Sequence, residues 1–198
     1  LGTNLTCYGG VLPTAATLEK FYKTVRSVET AIGRKLSMVS GGNSSHLAFL
    51  ESTKAGRLTN LRIGEALALG RETAYGETLE GFHTDVFTLE ADIIEIKEKP
   101  SLPEGEIGMN AFGKKPTFND KGIRKRAILA IGRQDVDHEE LLPMDERVTL
   151  IGSSSDHVIA DVTDSRLDYA LGDVLTFKLT YGSVLSLMTS PYVVKTYE

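Results

Sequence analysis

The sequence has a single cysteine, Cys7, so the 198-residue chain cannot form an internal disulfide bond. We therefore expect a reducing compartment, the cytoplasm. No apolar run is long enough to span a bilayer, and no signal-peptide pattern opens the chain. The net charge of -5 gives no reason to expect nucleic acid or a membrane as a partner. No pair of histidines has metal-ligand spacing, so we predict no metal site.

The N-terminal part, residues 1–82, alternates between apolar runs and amphipathic segments. Residues 1–7, 36–39 and 58–63 predict strands, and a helix is expected from Thr14 to the glycine cap at Gly33. This β-α-β order is typical of a parallel sheet. Because the first residue is leucine and the chain opens as if inside a strand, we expect the C-terminal part of a longer protein.

The pattern changes in residues 83–198. Apolar and polar residues alternate from Val86 to Ile93, which is the periodicity of a strand. Further strands are predicted at residues 126–131, 147–150, 158–162 and 174–179. The expected fold class is therefore α/β plus β: part of a (β/α)8 barrel followed by a mostly antiparallel β domain.

Two glycine-containing turns follow the second and third predicted strands, at residues 40–45 and 60–65. Turns of this kind expose backbone N–H groups, which bind anions. The second turn also places Arg62 beside Gly64. Two such turns on consecutive strands, with one cation between them, predict a phosphorylated cofactor across the strand ends of a barrel.

These residues resemble the alanine racemase family, in which a (β/α)8 barrel carrying pyridoxal 5'-phosphate precedes a β domain. The branch of predicted alanine/ornithine-type racemases is the most similar. The resemblance is carried by Thr3-Asn4-Leu5-Thr6-Cys7-Tyr8-Gly9-Gly10, Ser40-Gly41-Gly42-Asn43-Ser44, Leu61-Arg62-Ile63-Gly64, Ala130-Ile131-Gly132-Arg133-Gln134-Asp135 and Ser153-Ser154-Ser155-Asp156-His157.

The resemblance implies roles for individual residues. Arg62 would face the pyridine nitrogen of the cofactor and, because arginine keeps its proton, would leave that nitrogen unprotonated. The β-domain segments would contribute Arg133, Ser155 and Asp156 to substrate binding. The cofactor itself would be bound by Asn4, Ser44, Arg62, Gly64, Glu65 and Tyr181.

Two features depart from the family pattern. No lysine has the setting of the family's cofactor-binding lysine, so we expect that residue in a preceding part of the protein. Arg133 stands where the family has a catalytic tyrosine, and arginine is a poor base. The second proton acceptor is therefore open among Asp135, His157 and Cys7.

Several of these residues also have plain structural explanations. Ser44 could cap a helix, Arg62 could form a surface ion pair, and Tyr181 could belong to the core. Asp135 and Asp156 sit where turns favour aspartate.

The histidines and the cysteine have structural explanations too. Since adjacent strand residues point to opposite faces, His157 is not expected to pair with Asp156. Cys7 is expected to be a small buried residue. We expect His46, His83 and His138 to be surface or hydrogen-bonded residues.

Residues and resemblance together predict an amino-acid racemase that removes and returns the α-proton of alanine, ornithine, lysine or serine. The resemblance also implies a homodimer, in which the β domain of one subunit completes the site of the other. Alternatives are a pyridoxal-phosphate-dependent decarboxylase of similar architecture and a non-catalytic binding protein for the cofactor. Without the cofactor lysine, the chain by itself is expected to be inactive.

Overall fold

The computed structural model describes residues 1–52, 56–110 and 112–197. The chain forms two compact units, a first unit of Leu1–Val86 and a second unit of Phe87–Glu198. Among the described residues, no helix has the length and apolar character needed to cross a membrane.

The described residues of the first unit form three helices. Helix α1 spans Ala15–Ile32, as the sequence predicts. It begins at a capping box in which the Thr14 hydroxyl accepts from the backbone of Thr17, and the Thr17 hydroxyl accepts from the backbone of Thr14. It ends at Gly33, whose φ of 67° is in the left-handed region that favours glycine. Two shorter helices follow, α2 at His46–Ser52 and α3 at Glu65–Leu69.

Three extended segments of the first unit run parallel to one another. Bridges join Gly2 to Ser40 and Ser40 to Asn60, so the 40s segment lies in the middle. The strands predicted at residues 1–7, 36–39 and 58–63 are thus wrong in length, since each segment makes only isolated bridges. Backbone hydrogen bonds from Gly41 to Asn60 and from Arg62 to Gly42 still hold the middle and third segments together.

The second unit is built on a six-stranded antiparallel sheet with the order β3-β6-β1-β2-β5-β4. The strands are β1 Thr88–Pro100, β2 Ile123–Leu129, β3 Leu141–Pro143, β4 Thr149–Ser153, β5 Val158–Asp161 and β6 Val174–Leu179. This confirms the predicted antiparallel β part of the fold.

One face of this sheet forms the core of the second unit. In β1 the alternate residues Leu89, Ala91 and Ile93 are buried, as their period of two requires. Leu89 lies opposite Phe177 and Ala91 opposite Leu175, so cross-strand pairs fill the core.

Some elements differ from the sequence prediction. Strand β1 continues to Pro100, because its exposed second half is held by pairing with β2 rather than by an apolar pattern. Strand β4 begins at Thr149, two residues after the predicted start at residue 147. A fourth helix, α4 at Tyr181–Thr189, was not predicted, although its capping box from Thr180 to Ser183 is visible in the sequence.

Candidate active site

The ends of the three parallel segments are held together by Arg62. Its Nη1 donates to the Ser40 hydroxyl at 2.6 Å, and its Nη2 donates to the Thr3 carbonyl at 3.0 Å. Its backbone N–H donates to the Gly42 carbonyl at 2.7 Å. The side chain of Arg62 therefore bonds both of the other segments, and its backbone bonds the middle one. These bonds fix an exposed cation at the segment ends.

Ser44 and the start of α3 form a set of hydrogen-bond donors in the first unit. Ser44 is buried, and its Oγ accepts from the backbone N–H of Ala66 at 3.2 Å, so its hydroxyl proton is left to donate elsewhere. No described residue accepts from the backbone N–H groups of Gly64 and Glu65. A Cβ at Gly64 would meet no atom within 4 Å, so a ligand oxygen has room there. This donor set fits a phosphate group.

Asn4 is tied to the turn that carries Ser44. The Asn43 amide donates to the Asn4 side-chain oxygen at 3.2 Å and to the Leu5 carbonyl at 2.8 Å. The Asn43 side-chain oxygen in turn accepts from the backbone and hydroxyl of Ser45. The first and middle segments are thereby cross-linked beside the candidate phosphate site.

His46 lies at the start of α2 and is completely buried, so it is not a surface histidine. Its Nδ1 lies 3.5 Å from the Ser45 hydroxyl oxygen. Its Nε2 has no hydrogen-bond partner among the described residues. Its ring packs under Gly42, where a Cβ would lie only 2.8 Å from its Cε1. Burial, and secondarily the charge of Arg62, lower the pKa of His46, so the imidazole is neutral near pH 7.

Cys7 is exposed, and the expectation that it is buried is wrong. The segment leaves the parallel arrangement after residue 3 and enters a turn, in which Gly10 donates to the Cys7 carbonyl at 3.1 Å. Thr6, directly before it, has a φ of 55°, which is uncommon for a residue with a side chain.

In the second unit, the two segments singled out in the sequence lie against each other. The backbone N–H of Arg133 donates to the Ser154 carbonyl at 2.9 Å, and that of Gln134 donates to the Ser155 carbonyl at 2.8 Å. Gly132 permits this approach, because a Cβ there would lie 2.3 Å from the backbone of Asp156. The three substrate-contact candidates therefore belong to one surface.

Arg133 is held in place by two neighbours. Its guanidinium donates to Asp137 at 2.7 Å, and it lies over the ring of Phe112 at 4.4 Å from the ring centre. This geometry suits an arginine that presents a fixed positive charge rather than one that accepts protons.

Asp156 and His157 lie close together in the turn between β4 and β5, so the expectation that their side chains point to opposite faces is wrong. The His157 Nδ1 lies 3.3 Å from an Asp156 carboxylate oxygen. Both residues precede β5, and the strand rule for opposite faces therefore does not apply. Hydroxyl groups of Ser154 and Ser155 donate to Asp156 and lower the pKa of its carboxyl.

Asp135 is buried, and its carboxylate accepts from the Ser190 hydroxyl at 2.6 Å. The Asp135 carboxylate is thus bonded to Ser190, the residue that caps the C-terminal end of α4. Tyr181 belongs to the same unit, where it is the first residue of α4 with an exposed side chain. His138, near the 154–157 turn, bonds Ser153 through its Nδ1 at 2.9 Å.

Comparison with solved structures identifies the fold. Alanine racemase from Acinetobacter baumannii matches 98% of this chain and 55% of its own length, with a TM-score of 0.61 and 16% sequence identity. This likeness confirms the predicted fold class.

Sequence comparison gives nearer relatives. An ornithine racemase from Acetoanaerobium sticklandii is 50% identical over 98% of this chain, and a lysine racemase from Thermotoga maritima is 44% identical over 100% of it. The chain spans 56% of the length of each of these two relatives. No protein-family profile matches the chain. The chain is thus similar in sequence to an ornithine racemase and a lysine racemase, and similar in fold to an alanine racemase.

Proposed function

We propose that the protein represented by this chain is a pyridoxal-phosphate-dependent racemase that interconverts the L and D forms of ornithine or lysine. The observation that carries this proposal is the fixed position of Arg62 beside the donor set of Ser44, Gly64 and Glu65. The names and identities of the ornithine and lysine racemases support a substrate with a cationic side chain.

The first unit would hold the cofactor through its phosphate. Ser44 would donate its hydroxyl proton, and the backbone N–H groups of Gly64 and Glu65 would donate two further hydrogen bonds. Asn4 would line the same site, and Tyr181 stays a predicted phosphate ligand. When bound, pyridoxal phosphate supplies an electron-withdrawing ring that makes the α-proton of the amino acid easier to remove.

Arg62 would set the electrostatics of this site. Its guanidinium keeps its proton at any working pH, so it donates a hydrogen bond without giving up the proton. The bonds to Ser40 and Thr3 hold it in one orientation, which avoids reorganisation during the reaction. Beside the ring nitrogen, the guanidinium would leave that nitrogen unprotonated, so the ring would draw off less charge, which would favour racemisation over side reactions.

The proton transfers need groups that can reach solvent or substrate. Cys7 is exposed and His157 is partly exposed, so both stay candidates for the acceptor on one face. Asp135 is a weaker candidate, because its buried carboxylate is bonded to Ser190. Arg133, Ser155 and Asp156 would bind the substrate through the surface formed by their two turns. We propose in addition that the active form is a homodimer in the cytoplasm. Light scattering of the purified protein tests the dimer.

The activity is tested by incubating the complete protein and cofactor with L-ornithine, L-lysine and L-alanine and separating the products by chiral chromatography. We expect D-ornithine or D-lysine to form faster than D-alanine. Release of carbon dioxide, or binding of the cofactor without any D product, would refute the proposal.

The phosphate site is tested by measuring cofactor affinity for Ser44→Ala. A hydrogen bond to a charged group contributes about 1.5–3 kcal/mol, so affinity should fall about tenfold or more. Ser27→Ala is the matched control, because the Ser27 hydroxyl only donates to a carbonyl within α1. Equal affinities for both variants would remove Ser44 from the site.

The role of Arg62 is tested by Arg62→Glu in the same protein. We expect slower racemisation and more transamination, because a carboxylate would allow the ring nitrogen to be protonated. Arg34→Glu, at an exposed position after α1, controls for the change of charge. Unchanged rate and product purity in Arg62→Glu would remove this residue from the mechanism.

A further inference from the structure

A groove on the second unit has features of an anion-binding site and includes no residue of the candidate active site. It has a volume of about 490 Å³, within the range of small-molecule sites. Its walls come from the turn after β3, the loop before β6, and β6 itself. It is lined by Met144, Asp145, Arg147, Arg166, Leu167, Tyr169, Val174 and Thr176.

The two arginines of this groove stand out among the arginines of the second unit. The other three each donate to an oxygen: Arg124 to Asp161 and Asp164, Arg126 to the Ser101 carbonyl, and Arg133 to Asp137. Within the part of the chain that the structure describes, the guanidinium groups of Arg147 and Arg166 make no hydrogen bond or ion pair. Both residues are exposed, so their donors are available to a ligand.

Asp145 accepts hydrogen bonds from three residues around the groove, and its single negative charge does not neutralise the two arginines. Its carboxylate accepts from the Ser165 hydroxyl at 2.5 Å, from the backbone of Arg147 at 3.1 Å, and from the Tyr169 hydroxyl at 3.5 Å. The Ser165 bond is the main reason that the pKa of Asp145 is low, and the charge of Arg147 adds to it. Among the residues that line the groove, one carboxylate stands against two arginines, so the charge of the lining is net positive.

The groove also offers apolar contacts. Met144, Leu167 and Val174 are exposed by 41%, 61% and 42%. A ligand that matches both properties carries an oxyanion, which a guanidinium binds in a planar, bidentate geometry, together with an apolar body. We propose that this groove is a binding site for a small organic oxyanion, distinct from the proposed cofactor site.

The test uses phenyl phosphate as the probe, with inorganic phosphate and phenol for comparison. Titration of the isotope-labelled protein, followed by amide chemical shifts, should show saturable changes at residues 144–147 and 166–176. Phenyl phosphate should bind more tightly than either comparison compound, because only it uses both the arginines and the apolar wall.

Arg147→Gln and Arg166→Gln should each weaken phenyl phosphate binding about tenfold, and the double variant should abolish it. Arg34→Gln is the matched control, since Arg34 is an exposed arginine that also makes no ion pair among the described residues. Because all three replaced side chains are exposed, their spectra should report a folded protein. The proposal is overturned by shifts confined to the Ser44–Glu65 region, by the absence of saturation, or by equal weakening in the control.

Discussion

Gly132→Ala should separate the two turns that form the substrate surface of the second unit. The added Cβ would lie 2.3–2.4 Å from the N, Cα and C atoms of Asp156, which are backbone atoms and cannot rotate away. The turn from Ser154 to Asp156 would have to move. The hydrogen bonds that Arg133 and Gln134 donate to it, at 2.9 and 2.8 Å, would be lost or stretched.

The expected loss of stability follows from these contacts. Overpacking costs typically about 1–3 kcal/mol, and each lost hydrogen bond about 1 kcal/mol. We expect a total of about 3 kcal/mol, or a decrease of about 6–12 °C in the melting temperature of a domain of this size. Urea unfolding followed by circular dichroism measures this loss. Hydrogen exchange should show that the amides of Arg133 and Gln134 lose their protection.

Gly152→Ala is the control for this experiment. Gly152 lies in β4, no atom comes within 4 Å of its added Cβ, and alanine in a strand is about 0.5–1 kcal/mol better than glycine. The control should therefore be neutral or slightly stabilising. If Gly132→Ala unfolds at the same urea concentration as Gly152→Ala, the close approach of the two turns does not require glycine at position 132, and the reasoning fails.

Three further predictions concern buried polar groups. Hydrogen bonds from Lys35 and from the backbone N–H of Leu36 lower the pKa of Glu29 to about 2. The carboxylate should therefore contribute fully to the free energy of unfolding above about pH 4.5, and this contribution should be lost as the pH falls towards 2. Glu29→Gln should flatten this pH dependence when unfolding is measured across the acid range. Because burial lowers the pKa of His46, the neutral form is favoured in the folded state, and stability should decline as the pH falls below about 6.5. His46→Gln should remove that decline in urea unfolding at pH 7.5 and 5.5. Ser190→Ala should cost about 3 kcal/mol in thermal unfolding, because it takes the hydroxyl donor from the buried Asp135 carboxylate, whereas the exposed Ser186→Ala should cost much less.

Local patterns were sufficient where the interaction partners are neighbours in the sequence. The capping box at Thr14 and the glycine after Ile32 define α1 without any distant contact. The alternation in β1 identifies its buried face, because side chains of a strand point to opposite sides in turn. The prediction that the turn at Gly64 binds an anion is also local, since a short run of residues supplies its donors.

Long-range packing decided what local patterns could not. The expectation for Cys7 was wrong because the chain turns away from the parallel segments before reaching it. The burial of His46 depends on Gly42 lying over its ring, and neither residue type indicates that contact. The pairing of Asp156 with His157 depends on where β4 ends and the turn begins, which is set by the ladder with β5.

Spacing along the chain was enough to predict the two-part architecture and the ends of α1, and to propose which residues bind a phosphate, because each depends on about one turn or strand. The bonds from Arg62 to both Ser40 and Thr3, and the contact between the 132–135 and 153–157 segments, could be known only from the three-dimensional arrangement. The bonded partners are 21 or more residues apart, and their meeting depends on the packing of whole strands and segments. Packing energy is shared among many side chains, so no single motif encodes which distant groups it brings within hydrogen-bonding distance.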